Sequence, residues 1–100
     1  SADWFLGVPF NMAQYAMLLS AMAQTTDRTP RYLYHKFGSA HIYKNHIDQV
    51  NEQLARRHEL FEAPHLELNP DVKDIGDFKA DDFRVVGYKH HPAIKGQVAI

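Results

Sequence analysis

His41 and Tyr43 stand two residues apart. On an extended backbone alternate side chains leave the same face, so the imidazole and the phenol could together hold one polar ligand group, such as a sugar hydroxyl. The simpler local reading is a half-buried strand whose polar tips reach water. Asn11 follows Gly7-x-Pro9-Phe10 and also carries two readings. As a helix N-cap, its side-chain oxygen accepts a backbone N–H. As a ligand contact, its amide offers a donor beside an acceptor, which matches the carbonyl and N–H that uracil presents. Cytosine presents the opposite order, so such a site would discriminate against it.

Other residue types exclude chemistry. The seven histidines form no metal-binding pattern: His90 and His91 are adjacent and face different ways, and no carboxylate or cysteine completes a set around His41 and His46. Asp81-Asp82 and Asp71, Asp74 and Asp77 lack the spacing and glycine of a calcium loop and read as a solvated acidic face. The five glycines are scattered singly, so no glycine-rich phosphate loop is present. Arg56-Arg57 could touch a phosphate, but on an exposed helix end they read as simply solvated. With no cysteine, the chain holds no disulfide, no thiolate zinc site and no thiolate nucleophile.

These residues need elements to position them. Trp4 to Leu6 followed by Gly7 and Pro9 reads as a short apolar strand or loop ending in a turn. After Asn11, the residues Met12, Tyr15, Ala16, Leu19, Met22 and Ala23 recur at helical spacing, and Met17 and Leu18 make the other face apolar too. A helix apolar nearly all round belongs in a core, and 100 residues cannot easily surround it. Part of its surface is therefore expected to meet another segment or another subunit. The stretch Thr25–Pro30 ends this helix, and Tyr32–Phe37 alternates like a strand. Ala40–Tyr43 either continues that strand or turns into the next helix. Ile47, Val50 and Leu54 mark an amphipathic helix ending near His58. Short strands are expected at Pro64–Leu68 and Asp82–Tyr88, separated by an Asn69-Pro70 turn and one helical turn capped by Asp77. The tally of two helices and about four short strands is an α+β pattern.

Length fits one small domain. A net charge of −1 argues against a nucleic-acid binder, and no apolar run is long enough to span a bilayer. The chain starts at Ser1 and not at methionine, and its last residues are apolar. The missing methionine leads to the expectation that the chain has been processed, trimmed or cut from something longer, and the apolar end is unusual for a free terminus.

Three blocks carry a resemblance. The string Ser1-Ala2-Asp3-Trp4-Phe5-Leu6-Gly7-Val8-Pro9-Phe10-Asn11 resembles a signature of the thymidylate synthase family. So does Gly38-Ser39-Ala40-His41-Ile42-Tyr43-Lys44-Asn45-His46. Asp77 to Phe83, Gly87-Tyr88, His91-Pro92-x-Ile94-Lys95 and Val98-Ala99-Ile100 resemble the family's C-terminus. The blocks run in one register along the whole chain. The resemblance implies an α+β, thymidylate synthase-type fold, with a mixed sheet packed on helices, of which residues 1–100 are the C-terminal portion. It implies a cytoplasmic, homodimeric methyltransferase that takes deoxyuridylate (dUMP) and the co-substrate 5,10-methylenetetrahydrofolate and makes thymidylate. In that scheme a cysteine thiolate adds to uracil C6, C5 takes the one-carbon unit, and the folate then gives a hydride.

The resemblance also implies roles. Asn11 would read the uracil edge and steady the developing enolate, and Asp3 would lie near the uracil and the folate's pterin ring. Ser1 would touch the nucleotide phosphate, and His41 and Tyr43 would hold the deoxyribose 3′-hydroxyl. Leu6, Gly7 and Phe10 would line the folate side, and Ala99 and Ile100 would belong to a tail closing over the ligands. The family's catalytic cysteine, phosphate-binding arginines and catalytic glutamate lie upstream of Ser1 in this register. The chain therefore carries half a nucleotide site, expects an N-terminal part of the same enzyme as partner, and should be inactive alone. Where the family usually has an acidic residue this chain has Ser39. Two alternatives stand beside the main reading. One is a deoxyuridylate hydroxymethylase of the same fold, and the other is a non-catalytic nucleotide-binding or dimerisation fragment.

Overall fold

The computed structural model describes residues 1–98, so Ala99 and Ile100 lie outside the described residues. Its elements are β1 (Ala2–Asp3), α1 (Val8–Thr25), β2 (Ala40–His41), α2 (Ile47–Ala55), β3 (His65–Leu68) and β4 (Phe83–Val86). Short 3₁₀ turns stand at Lys44–His46, Ile75–Asp77 and Ala80–Asp82. This is the expected α+β content. Parallel and antiparallel pairing both occur, but in two separate two-stranded sheets, β1–β2 and β3–β4. Contacts divide the chain into two units. One holds residues 1–12, 35–62 and those from 89 on; the other holds 13–34 and 63–88.

In the first unit, β1 runs parallel to β2 with Ala2 opposite Ala40 and Asp3 opposite His41. The pairing is extended by the Ala2 N–H to the Ser39 carbonyl (2.8 Å) and the Trp4 N–H to the His41 carbonyl (2.9 Å). The Trp4 ring then packs on Phe37, with centroids 5.0 Å apart. Asp3 Oδ1 accepts the N–H groups of Phe5 (3.0 Å) and Leu6 (3.1 Å) and turns the chain toward α1. α1 therefore starts at Val8, with Pro9 in its first turn, where its missing N–H costs nothing. Asn11 lies inside the helix, its own N–H bonded to the Gly7 carbonyl (2.9 Å). The expected N-cap at Asn11 is thus corrected: the Asp3 turn ends the extended segment earlier than apolar periodicity suggests. α2 ends at Ala55 and carries Arg56 at its C-cap. Arg56 pairs with Glu52 (3.0 Å) and donates to the Pro92 carbonyl (2.7 Å), so it ties a loop down and is not merely solvated.

The second unit carries the rest of α1. The helix stops in a Schellman arrangement: Asp27 takes a left-handed φ of 55°, its N–H meets the Gln24 carbonyl (3.3 Å), and the Arg28 N–H meets the Ala23 carbonyl (2.7 Å). β3 and β4 pair antiparallel, Leu66 opposite Val85 and Leu68 opposite Phe83. The burial of β3 alternates, with Leu66 and Leu68 on the sheltered face. Gln24 Nε2 donates to the Asn69 (2.9 Å) and Val72 (3.0 Å) carbonyls and joins α1 to the connection after β3. Two expectations fail here and nearby. Asp74, not Asp77, caps the 3₁₀ turn Ile75–Asp77, accepting the Gly76 N–H (3.0 Å). Residues 32–37 form no strand: among the described residues no segment pairs with them, and alternation alone cannot make a ladder.

Buried apolar side chains are few among the described residues: Val8, Ala21 and Ala23. On α1, Phe10, Met12, Tyr15, Leu18 and Met22 are all exposed. The one fully buried polar residue described is His46.

Candidate functional site

All the described residues expected to touch ligand fall in the first unit. The β1–β2 pairing sets Asp3 directly across from His41. Parallel register fixes that juxtaposition through backbone bonds, so it does not depend on a particular rotamer. Asp3 also governs the turn that follows. Its Oδ1 holds the Phe5 and Leu6 amides. Its carbonyl accepts the Gly7 N–H (3.1 Å).

Gly7 is a point of close approach. A Cβ there would stand 3.2 Å from the Asp3 carbonyl oxygen and 3.5 Å from Asn11 Oδ1. The absence of a side chain thus lets the Asn11 amide lie over the turn that Asp3 organises. Asn11 is exposed, and its side chain makes no hydrogen bond among the described residues. Its donor and acceptor are both available to a planar ligand edge. Of the two readings of Asn11, the cap is excluded, so the side chain is not committed to the helix.

Tyr43 keeps an extended backbone (φ −71°, ψ 146°) before the 3₁₀ turn, as the pairing with His41 requires. Its ring stands edge-on to His46, centroids 6.0 Å apart. Ser39 Oγ lies 3.4 Å from His41 Nδ1 and 3.5 Å from Nε2, a long contact that a carboxylate would strengthen. Ser1 is exposed at the entry to β1, and Phe10 is exposed beside Asn11 on the first turn of α1. No hydrogen bond joins Ser1 or Phe10 to His41 or Tyr43 among the described residues. Leu6 is half-buried and lines a groove of about 790 Å³ with Asn45, Gln49, Ile94, Lys95 and Gln97.

No group of three or more His, Asp or Glu side chains that could hold a metal ion occurs among the described residues. No helix there is long and apolar enough to cross a membrane. No role falls to His46, Phe5 or Gly96 on sequence alone. The buried imidazole of His46 meets the Gln97 carbonyl at 2.6 Å, 51 residues along the chain. A lone histidine after a polar pair gives no periodic signal, and only the tertiary contact reveals it.

Comparison with known proteins gives a consistent picture. The family model described as thymidylate synthase matches residues 1–100. A thymidylate synthase of Malacoplasma penetrans (strain HF-2) is 53% identical over 100 residues, covering 100% of this chain and 34% of that protein. The solved structure of thermostable thymidylate synthase A from Bacillus subtilis superposes with a TM-score of 0.90 at 42% identity, covering 100% of this chain and 35% of that one. The chain thus spans about a third of the length of the relatives it matches.

Proposed function

The chain belongs to the thymidylate synthase family, and from that premise we propose that it forms the C-terminal third of an enzyme that methylates dUMP to thymidylate. The observation that supports this reading best is the convergence of Asp3, Gly7, Asn11 and His41 on one short parallel pairing and the turn that follows it. Asn11 donates to and accepts from the uracil edge, and so rejects cytosine, whose donor and acceptor are reversed. Its amide also holds the charge that develops on the uracil carbonyl when C6 is attacked. His41 and Tyr43 orient the sugar through its 3′-hydroxyl, and Ser1 meets the phosphate. The attacking thiolate, absent from this chain, comes from the upstream part of the same enzyme.

Methylenetetrahydrofolate, when bound, supplies the one-carbon unit and the hydride. The residues present suit such a group: half-buried Leu6 and Ile94 offer apolar surface, and Asn45 and Gln49 offer amides at the edge of one groove. Leu6, Gly7 and Phe10 would hold its ring, Asp3 would lie beside the pterin, and Ala99 and Ile100, outside the described residues, would complete the cover. The enzyme acts as a homodimer in the cytoplasm, needs no metal, and has dUMP and folate as its ligands. The test is mass analysis of the product that the whole enzyme makes from dUMP and methylenetetrahydrofolate. A methyl product supports the proposal. A product heavier by one oxygen is the hydroxymethylase outcome, and with it the methylation reading falls.

A further inference from the structure

His46 is the most buried polar residue described, yet none of the roles proposed above uses it. Its Nε2 lies 2.6 Å from the Gln97 carbonyl, so the ring carries its proton there and donates it. Asn45 Nδ2 donates to the same carbonyl (3.1 Å), and Gln49 Nε2 reaches the Lys95 carbonyl (3.3 Å). Three side chains from the 3₁₀ turn and α2 thus fasten two backbone carbonyls of the segment 95–97. Between those carbonyls lies Gly96. A Cβ there would stand 2.8 Å from Phe5 Cε2 and 3.2 Å from His46 Cδ2, so no side chain fits. The Phe5 ring itself packs on His46, centroids 5.3 Å apart.

We propose that His46 is a positioning residue for the folate side of the site, latching the 95–97 backbone against Phe5 and so fixing the groove floor beside Leu6. The proposal rests on the function proposed above. The imidazole suits the task because its ring packs between Phe5 and Tyr43 while its N–H donates to the Gln97 carbonyl. Phe5 directly precedes Leu6, and Tyr43 opens the 3₁₀ turn that carries His46. One buried ring therefore couples the end segment to the turn that presents Leu6 and Gly7.

The test uses the whole enzyme with three variants: H46F, which keeps the ring and removes the donor; H46Q, which returns a donor; and G96A, which wedges the contact open. Amide hydrogen exchange of residues 94–98 is read beside the KM for methylenetetrahydrofolate and the calorimetric Kd for dUMP. H46F is expected to speed exchange of that segment and to raise the folate KM, each about ten-fold, the scale of one lost hydrogen bond. G96A should do the same, H46Q should restore part of the loss, and the Kd for dUMP should stay within about two-fold under all three. Unchanged exchange at 94–98 in H46F overturns the latch. An equal loss for dUMP and folate, with faster exchange throughout, overturns the positioning role in favour of a purely structural one. If the wild-type enzyme binds neither ligand, the proposed function fails, and the exchange contrast between H46F and H46Q still decides the latch.

Discussion

Asn11 owes its availability to two neighbours. Asp3 takes over the turn amides, and Gly7 leaves room for the Asn11 amide above the backbone. Replacing Asn11 by alanine keeps the helix, since alanine is the better helix former, and removes both proposed uracil contacts. The N11A enzyme should lose about hundred-fold in kcat/KM for dUMP, as when one donor to a developing oxyanion is deleted. Steady-state kinetics with an unchanged melting temperature would check this. For Tyr43 the expected effect is on binding. Y43F should raise the KM for dUMP about ten-fold while leaving it unchanged for an analogue lacking the 3′-hydroxyl. Equal effects on both substrates would remove the phenol from the sugar site. These residues were legible as chemistry in the sequence, but their commitments were not. An asparagine before an apolar repeat reads as a cap, and only the Asp3 side chain, eight positions earlier, shows that the turn is already built.

At the scale of elements, local signals read well where the partner is near in sequence. α2 and β3 followed from periodicity, and both appear within a few residues of the expected limits. The stretch 32–37 misled because a strand is defined by its neighbour, and alternation says nothing about which segment that is. The connection between β3 and β4 shows how polar residues fix an element that apolar pattern leaves vague. Asp82 accepts from Asn69 Nδ2 (2.9 Å) and from the Lys79 N–H (2.8 Å). The Asn69 bond first, then the Lys79 backbone bond and ammonium, hold its carboxyl below the ordinary value of 3.8. The folded value being the lower one, the network stabilises above 3.8 and its contribution is lost as pH falls through the lowered folded value. The melting temperature of wild type should exceed that of D82N at neutral pH, and the gap should close well below 3.8. A gap constant across that range would show that Asp82 does not act through its charge.

For the whole molecule the telling feature is α1. Along it Tyr15 is 53% exposed, Leu18 45% and Met22 52%, on a helix that carries no acidic residue in its first turn and no basic one in its last. An exposed apolar stripe along a helix is the kind of surface that other protein covers. The chain spans about a third of the relatives it matches, and its sequence lacks the thiolate on which the proposed chemistry depends. The central proposal is therefore divided labour: these 100 residues would read the uracil and the sugar, and an upstream part would supply the nucleophile that this sequence lacks. Thymidylate formation from dUMP and methylenetetrahydrofolate, measured in parallel for the whole enzyme and for residues 1–100 alone, tests it most directly. The account predicts turnover by the whole enzyme and none by the isolated chain; turnover by the isolated chain, or none by the whole enzyme, would contradict it.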